Sequence, residues 1–166
     1  MSQPLGQTLP TNVIQHLVGG NPVIVGTTDA DGHPYLSAAG SCIALDERTL
    51  RFAAFSNGRT LANIRRDGRV FLETLGDDLV VGIRGLAAIV KEPMDASAYP
   101  PHHYAMVQID VLHVKMDNPP GARIHGMRYD FGHSRHPEER MQRRAVLLNE
   151  LRTPPAPSEP AAGAAE

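Results

Sequence analysis

The chain has 166 residues, with 16 lysines and arginines against 18 aspartates and glutamates and a net charge of −2 when histidine is neutral. That length suits one domain with a buried core, and an apolar fraction of 42% excludes global disorder. A nucleic-acid binder is more often clearly basic, and 5% aromatic residues with no Trp leave little to stack bases on, so no nucleic-acid partner is expected.

Residues 1–10 are polar and carry prolines, which reads as a flexible lead. They hold no basic stretch followed by an apolar core, so a secretory signal is not expected. No apolar run approaches the length needed to span a bilayer. The expectation is a cytoplasmic protein with no membrane partner.

From Thr11 the chain reads as one domain through Arg152. Thr11 can start a short helix with Val13, Ile14, Leu17 and Val18 on one side, and Gly19-Gly20 ends it. "PVIVGTTDADGHPYLSAAGSCIAL" reads as two strands around the turn residues Asp29 to Gly32. The turn Asp46-Glu47-Arg48 leads into the strand "TLRFAAF". The spacing of Leu61 and Ile64 predicts a helix over Arg59 to Arg66, stopped by Asp67-Gly68. "RVFLETL" and "LVVGIRGLAAIVKE" are the next strands, and Gly82 and Gly85 predict a bulge, a bend or a close backbone approach.

A Pro-rich connection over Pro93 to Pro101 precedes the last strand, "YAMVQIDVLHVKM". "DNPPGARIHGMRYDFGHS" is loop-like. "HPEERMQRRAVLLNELR" predicts a helix with Pro137 near its first position, Glu138 and Glu139 in the first turn, and an apolar stripe of Met141, Ala145, Leu148 and Leu151. Its basic outer face reads as a solubilising surface. Residues 153–166 read as a disordered tail. Six short strands at hairpin spacing, with one interior helix, predict a mainly β fold: a small antiparallel barrel of the Greek-key kind. A parallel α/β fold would need a helix between most strands.

One stretch has the chemistry of an anion seat. After the strand ending at Phe55 come Ser56, Asn57, Gly58, Arg59 and Thr60, and then a helix start. Glycine lets backbone approach a ligand, the helix start presents unpaired N–H groups, and arginine offers a planar fork to phosphate oxygens. A capped helix with a solvated arginine would use the same letters.

The order of the pieces adds a resemblance. "PVIVGTTDADGHPYLSAAG", "TLRFAAFSNGRTLANIRRDGRVFLETLG" and "VVGIRGLAAIV" together resemble the pyridoxamine 5′-phosphate oxidase-like family of FMN-binding split barrels, over Asn21 to Val90. The resemblance implies a six-stranded split barrel that forms a homodimer, with FMN at the subunit interface, acting as an oxidoreductase on a small-molecule substrate. It implies phosphate binding at Ser56, Asn57, Gly58, Arg59 and Thr60, with Asn63 nearby, and backbone beside the flavin ring at Ala39, Gly40, Ser41, Ala53, Ala54 and Phe55. Many relatives carry Lys where this chain has Thr60. The pyridoxamine phosphate oxidases proper also carry an Arg and a Lys on the strand matched by Ala39 to Ala44, where this chain has small residues. Vitamin metabolism is therefore not part of the expectation.

The remaining chemistry-bearing residues read more blandly. Cys42 is the single cysteine, expected as a buried, inert thiol. Histidines 102, 103, 113, 125, 133 and 136 lie in the second half, where loop histidines in water are the default over a metal site, and no metal is expected. His125, Arg128, Tyr129 and His133 are candidates to line a flavin cleft by chain position. A flavin- or haem-binding protein without turnover, or a barrel using deazaflavin, are the alternatives.

Overall fold

The computed structural model describes residues 2–96, 102–121, 123–127 and 130–155. They form β1 (Gln3–Gly6), α1 (Thr11–Val18), β2 (Val23–Thr28), β3 (Pro34–Ala39), β4 (Cys42–Ala44), β5 (Thr49–Phe55), α2 (Arg59–Arg66), β6 (Arg69–Gly76), β7 (Leu79–Lys91), β8 (Tyr104–Met116) and α3 (Pro137–Arg152). Arg128, Tyr129, the stretch 97–101 of the Pro-rich connection and the tail beyond residue 155 lie outside the described residues.

Turn chemistry sets the hairpins. Gly32, at φ 82°, closes the β2–β3 turn by donating its N–H to the Asp29 carbonyl at 3.0 Å. Asp77 and Asp78 both take positive φ, 52° and 63°, as a two-residue type I′ hairpin between β6 and β7 requires. Gly85 marks a bulge: the β7–β8 register shifts between Arg84 and Gly85, and a Cβ there would lie 2.4 Å from Ile109 Cγ2.

All strand pairs are antiparallel, in the order β3-β2-β6-β7-β8-β5-β4, with β1 paired to β8. β3 and β4 stand at opposite ends of that order, yet only Gly40 and Ser41 separate them in the chain. The sheet therefore curls round, closed by two residues of covalent chain where β3 and β5 have no ladder between them. This is a split barrel, with α2 carrying the chain from β5 to β6.

Eight strands rather than six are present among the described residues, for two reasons. The second strand of the first hairpin breaks at Gly40-Ser41 as it changes partner from β2 to β5. Gln3 to Gly6, expected within a flexible lead, instead pair with β8, and Leu9 is buried with its N–H on the Glu47 carbonyl. Burying a leucine side chain contributes about 1.5–3 kcal/mol, which helps offset the cost of ordering this lead.

The barrel interior is packed with Val25, Leu50, Phe52, Leu72, Ile83 and Ile109 among others. A second, smaller cluster lies under α3, where Leu148 and Leu151 meet Ile43, Ala53, Met94 and Met106. The docked face of α3 differs from the expected stripe. Met141 is 53% exposed and Ala145 is exposed, while Arg144, Leu147, Leu148 and Leu151 face the barrel. Polar anchors set that rotation. Arg144 donates to the Gly40 carbonyl at 2.5 Å and to the Gly20 carbonyl. Buried Arg51 donates to the carbonyls of Leu151 and Thr153, at 3.1 and 2.8 Å, and so caps the C-terminal end of α3. Glu150 accepts the N–H groups of Asp95 and Ala96. Among the described residues no helix is long and apolar enough to cross a membrane.

Candidate ligand-binding cleft

The split between β3 and β5 opens as a cavity of about 450 Å³, within the range of small-ligand sites. One wall is Ala38, Ala39, Gly40 and Ser41, where β3 passes into β4. The other is Phe52 to Phe55 of β5. Alanines stand on both walls, and with Gly40 they border the slot with small side chains. Tyr35, Tyr104 and Phe131 add aromatic surface at its margins.

The cleft runs into the start of α2 through Gly58, Arg59 and Thr60. Gly58 is the N-cap residue and supplies no side-chain cap, and the first turn contains no acid. The first intrahelical bond runs from the Ala62 N–H to the Gly58 carbonyl, so the N–H groups of Arg59, Thr60 and Leu61 precede the helix's own ladder, while that of Gly58 bonds the Phe55 carbonyl at 2.9 Å. A Cβ on Gly58 would lie 3.0 Å from the Phe55 carbonyl oxygen, so a larger residue here would need the backbone to give by a few tenths of an ångström. Thr60 and Ser37 share a hydroxyl–hydroxyl bond of 2.7 Å, and Arg59 lies over the Tyr35 ring at 5.4 Å. Arg59 also approaches Asp29 at 3.7 Å, with 64% of its side chain exposed.

The structure thus brings Ala39, Gly40, Ser41, Ala53, Ala54, Phe55, Gly58, Arg59 and Thr60 to one cleft. Three other candidates stand behind or beside it. Ser56 has a buried Oγ with no hydrogen-bond partner, and its N–H bonds the His103 carbonyl at 2.8 Å. Asn57 Nδ2 lies 3.1 Å from His102 Nδ1. Asn63 is buried and donates to Thr27 Oγ1 and Asp29 Oδ1 at 2.9 and 3.0 Å. It buttresses α2 against β2 rather than touching the cleft.

Tyr35, Ser37, Tyr104, Phe131, Arg140, Arg143, Arg144 and Leu147 also line the cleft and were not singled out by sequence. The arginines had a signal: their i, i+3, i+4 spacing puts them on one helical face. That face turns to the cleft instead of serving as a purely solvent-facing surface. From the loop before α3, Phe131 lines the cleft and His125 and His133 do not.

Cys42 is buried, and burial pushes its thiol from the ordinary 9.0 up to about 12, so it stays neutral and unreactive. His16 makes a hydroxyl–imidazole–carboxylate row, Nε2 at 3.0 Å from Thr74 Oγ1 and Nδ1 at 2.9 Å from Asp77. Thr74 is 0% exposed and the row lies off the cleft, so it latches α1 to the β6–β7 hairpin. Burial raises the Glu73 carboxyl above its usual range, and it too lies off the cleft. No group of three or more His, Cys, Asp or Glu suited to a metal ion occurs among the described residues.

The barrel, its split and the loop at α2 define a split-barrel architecture. Residues 13–122, well over half of the chain, match the family model described as pyridoxamine 5′-phosphate oxidase, and the chain belongs to that family. A search of the curated proteins found no match. Among solved structures, a candidate pyridoxamine 5′-phosphate oxidase from Lactobacillus delbrueckii is similar at 24% identity and a TM-score of 0.55, covering 68% of this chain and 98% of its own. HupZ from Group A Streptococcus is similar at 22% identity and a TM-score of 0.55, covering 69% and 98%. An F420 reductase follows at 18% identity and a TM-score of 0.53, covering 64% and 98%. At these identities the three structures speak to the fold alone.

Proposed function

We propose that the cleft binds FMN and that the protein is a cytoplasmic FMN-dependent oxidoreductase acting on a small molecule. The observation that carries this reading is the slot bordered by Ala39, Gly40, Ala53 and Ala54, running directly into an uncapped helix start beside Arg59 and Thr60. A planar ring fits the slot, and a phosphate suits the helix end, where N–H groups, hydroxyls and a guanidinium converge. FMN, when bound, supplies the two-electron chemistry, and these residues hold and orient it. No side chain of the cleft is needed as a general acid or base for that role.

The reading includes a homodimer. Leu36 is 66% exposed between Tyr35 and Ser37 of the cleft wall, and Phe55 is 44% exposed at its rim. A second copy of the chain would cover both. The lone buried thiol suits a reducing compartment.

The test is the visible spectrum of the purified protein, before and after addition of FMN and gel filtration with light scattering. Retained flavin bands on a dimer are expected. A protein that is colourless and retains no added FMN would overturn the reading, and a sharp Soret band would replace it with a haem protein.

A further inference from the structure

Among the described residues the guanidinium of Arg59 has two partners, and both come from the β2–β3 hairpin. Tyr35, paired with Thr27 in that hairpin, holds its ring 5.4 Å from the guanidinium carbon. Asp29 Oδ2 stands 3.7 Å from Arg59 Nη1. With 64% of its side chain exposed, an arginine without such partners would keep its full rotamer freedom.

Asp29 is itself held from several sides. Its N–H bonds the His33 carbonyl at 2.8 Å, and its carbonyl accepts from Gly32 at 3.0 Å, which fixes its backbone at the turn. An aspartate in a turn commonly bonds a nearby N–H of that turn. Here, among the described residues, the carboxylate turns to α2 instead: Oδ1 accepts from buried Asn63 at 3.0 Å, and Oδ2 faces Arg59. Asn63 is steadied in turn by Thr27 Oγ1 at 2.9 Å and by Arg66, whose Nη1 donates to its Oδ1 at 3.2 Å. A buried amide thus aims an acid at an exposed arginine.

Stability is a poor reason for that arrangement, because so exposed an ion pair contributes little. The distance suggests another use. At 3.7 Å the pair is too long for a hydrogen bond, so Asp29 attracts the guanidinium without occupying its donors. Arg59 lines the cleft and Asp29 does not, so the guanidinium is the nearer charge to a ligand there.

We infer that Asp29 is a positioning residue: it holds the Arg59 fork beside Tyr35 at the start of α2 and acts on the ligand only through Arg59. The inference rests on the reading of this corner as the seat of the FMN phosphate. A fork already ordered gives up less freedom when the phosphate arrives, and so binds it more tightly.

Asp29→Asn removes the charge and keeps an oxygen for Asn63. FMN affinity should fall about three- to ten-fold, and riboflavin affinity by less than about two-fold. In an Arg59→Ala background the same substitution should change FMN affinity by less than about two-fold, since the residue it acts through is gone. A merely structural Asp29 would weaken FMN equally in both backgrounds, and an acid that competes with phosphate would, when removed, tighten FMN binding. Either result overturns the inference. A second readout needs no cofactor: nitrogen relaxation of the Arg59 Nε–H in the free chain, where Asp29→Asn should lower the order parameter. An unchanged order parameter overturns the inference as well. Failure of the FMN reading shows separately, as a native chain that binds no FMN, and the relaxation measurement then still decides the role of Asp29.

Discussion

Two helices border the cleft, and they are held in opposite ways. α2 sinks Leu61, Asn63 and Ile64 into the barrel and presents its N-terminal end to the ligand. α3 lies on the outer face over a small apolar cluster, and much of its hold comes from side chains bonding distant backbone: Arg51 to its C-terminal carbonyls, Arg144 to Gly40 and Gly20, Arg152 to Val18. The first arrangement follows from local pattern and the barrel core. The second depends on pairings a hundred or more residues apart in sequence. α2 should therefore unfold only with the barrel, whereas α3 should open by itself.

The sharpest way to break that contrast is Arg51→Ala. Its guanidinium bonds Gln108 Oε1 at 3.1 and 2.9 Å as well as the two carbonyls at the end of α3. Bonds to a charged group are worth about 1.5–3 kcal/mol each and do not add fully, so a local loss of about 3 kcal/mol is expected. Hydrogen exchange should speed up strongly in α3 and little in β6 and β7. Equal acceleration in both would show that α3 and the barrel open as one unit.

Asn63→Ala probes the other helix with a smaller effect. Removing its amide leaves Thr27 and Asp29 without a shared donor and should cost about 1–3 kcal/mol of global stability. Urea unfolding followed by circular dichroism should show one transition shifted to lower denaturant, with barrel and α2 amides affected together. A change confined to α2 would contradict the account of that helix.

What the sequence reveals follows the same division. The hairpin turns at Asp29 to Gly32 and Gly76 to Asp78, the bulge at Gly85 and the α2 pattern are local signals, and each is visible in the letters. The break at Gly40-Ser41 was not, because it is set by which strand lies opposite, not by the strand's own composition. β1 was hidden for the same reason: Gln3 to Gly6 gain their ladder only from β8. At the site, the loop from Phe55 to Thr60 announced itself through glycine, hydroxyls and arginine at a helix start. Asn63 is buried and bonded to Thr27 and Asp29, a placement the letters do not show because a buried amide and a ligand-facing amide look alike in sequence. Arg140, Arg143 and Arg144 looked like a solvated surface, since nothing local reports that Arg51 and Arg144 dock that face against the cleft.

The central claim is that the helix start at Gly58 to Thr60 seats the phosphate of FMN. Affinities of FMN and riboflavin for the native chain and for Arg59→Ala test it most directly, because riboflavin lacks the phosphate and the four values close a thermodynamic cycle. Loss of a charge-assisted bond should weaken FMN binding by roughly ten- to a hundred-fold. Riboflavin should bind weakly to both proteins and lose little on mutation. FMN affinity left intact by Arg59→Ala, or an equal loss for both ligands, would contradict the account and leave this stretch as a helix end with a solvated arginine.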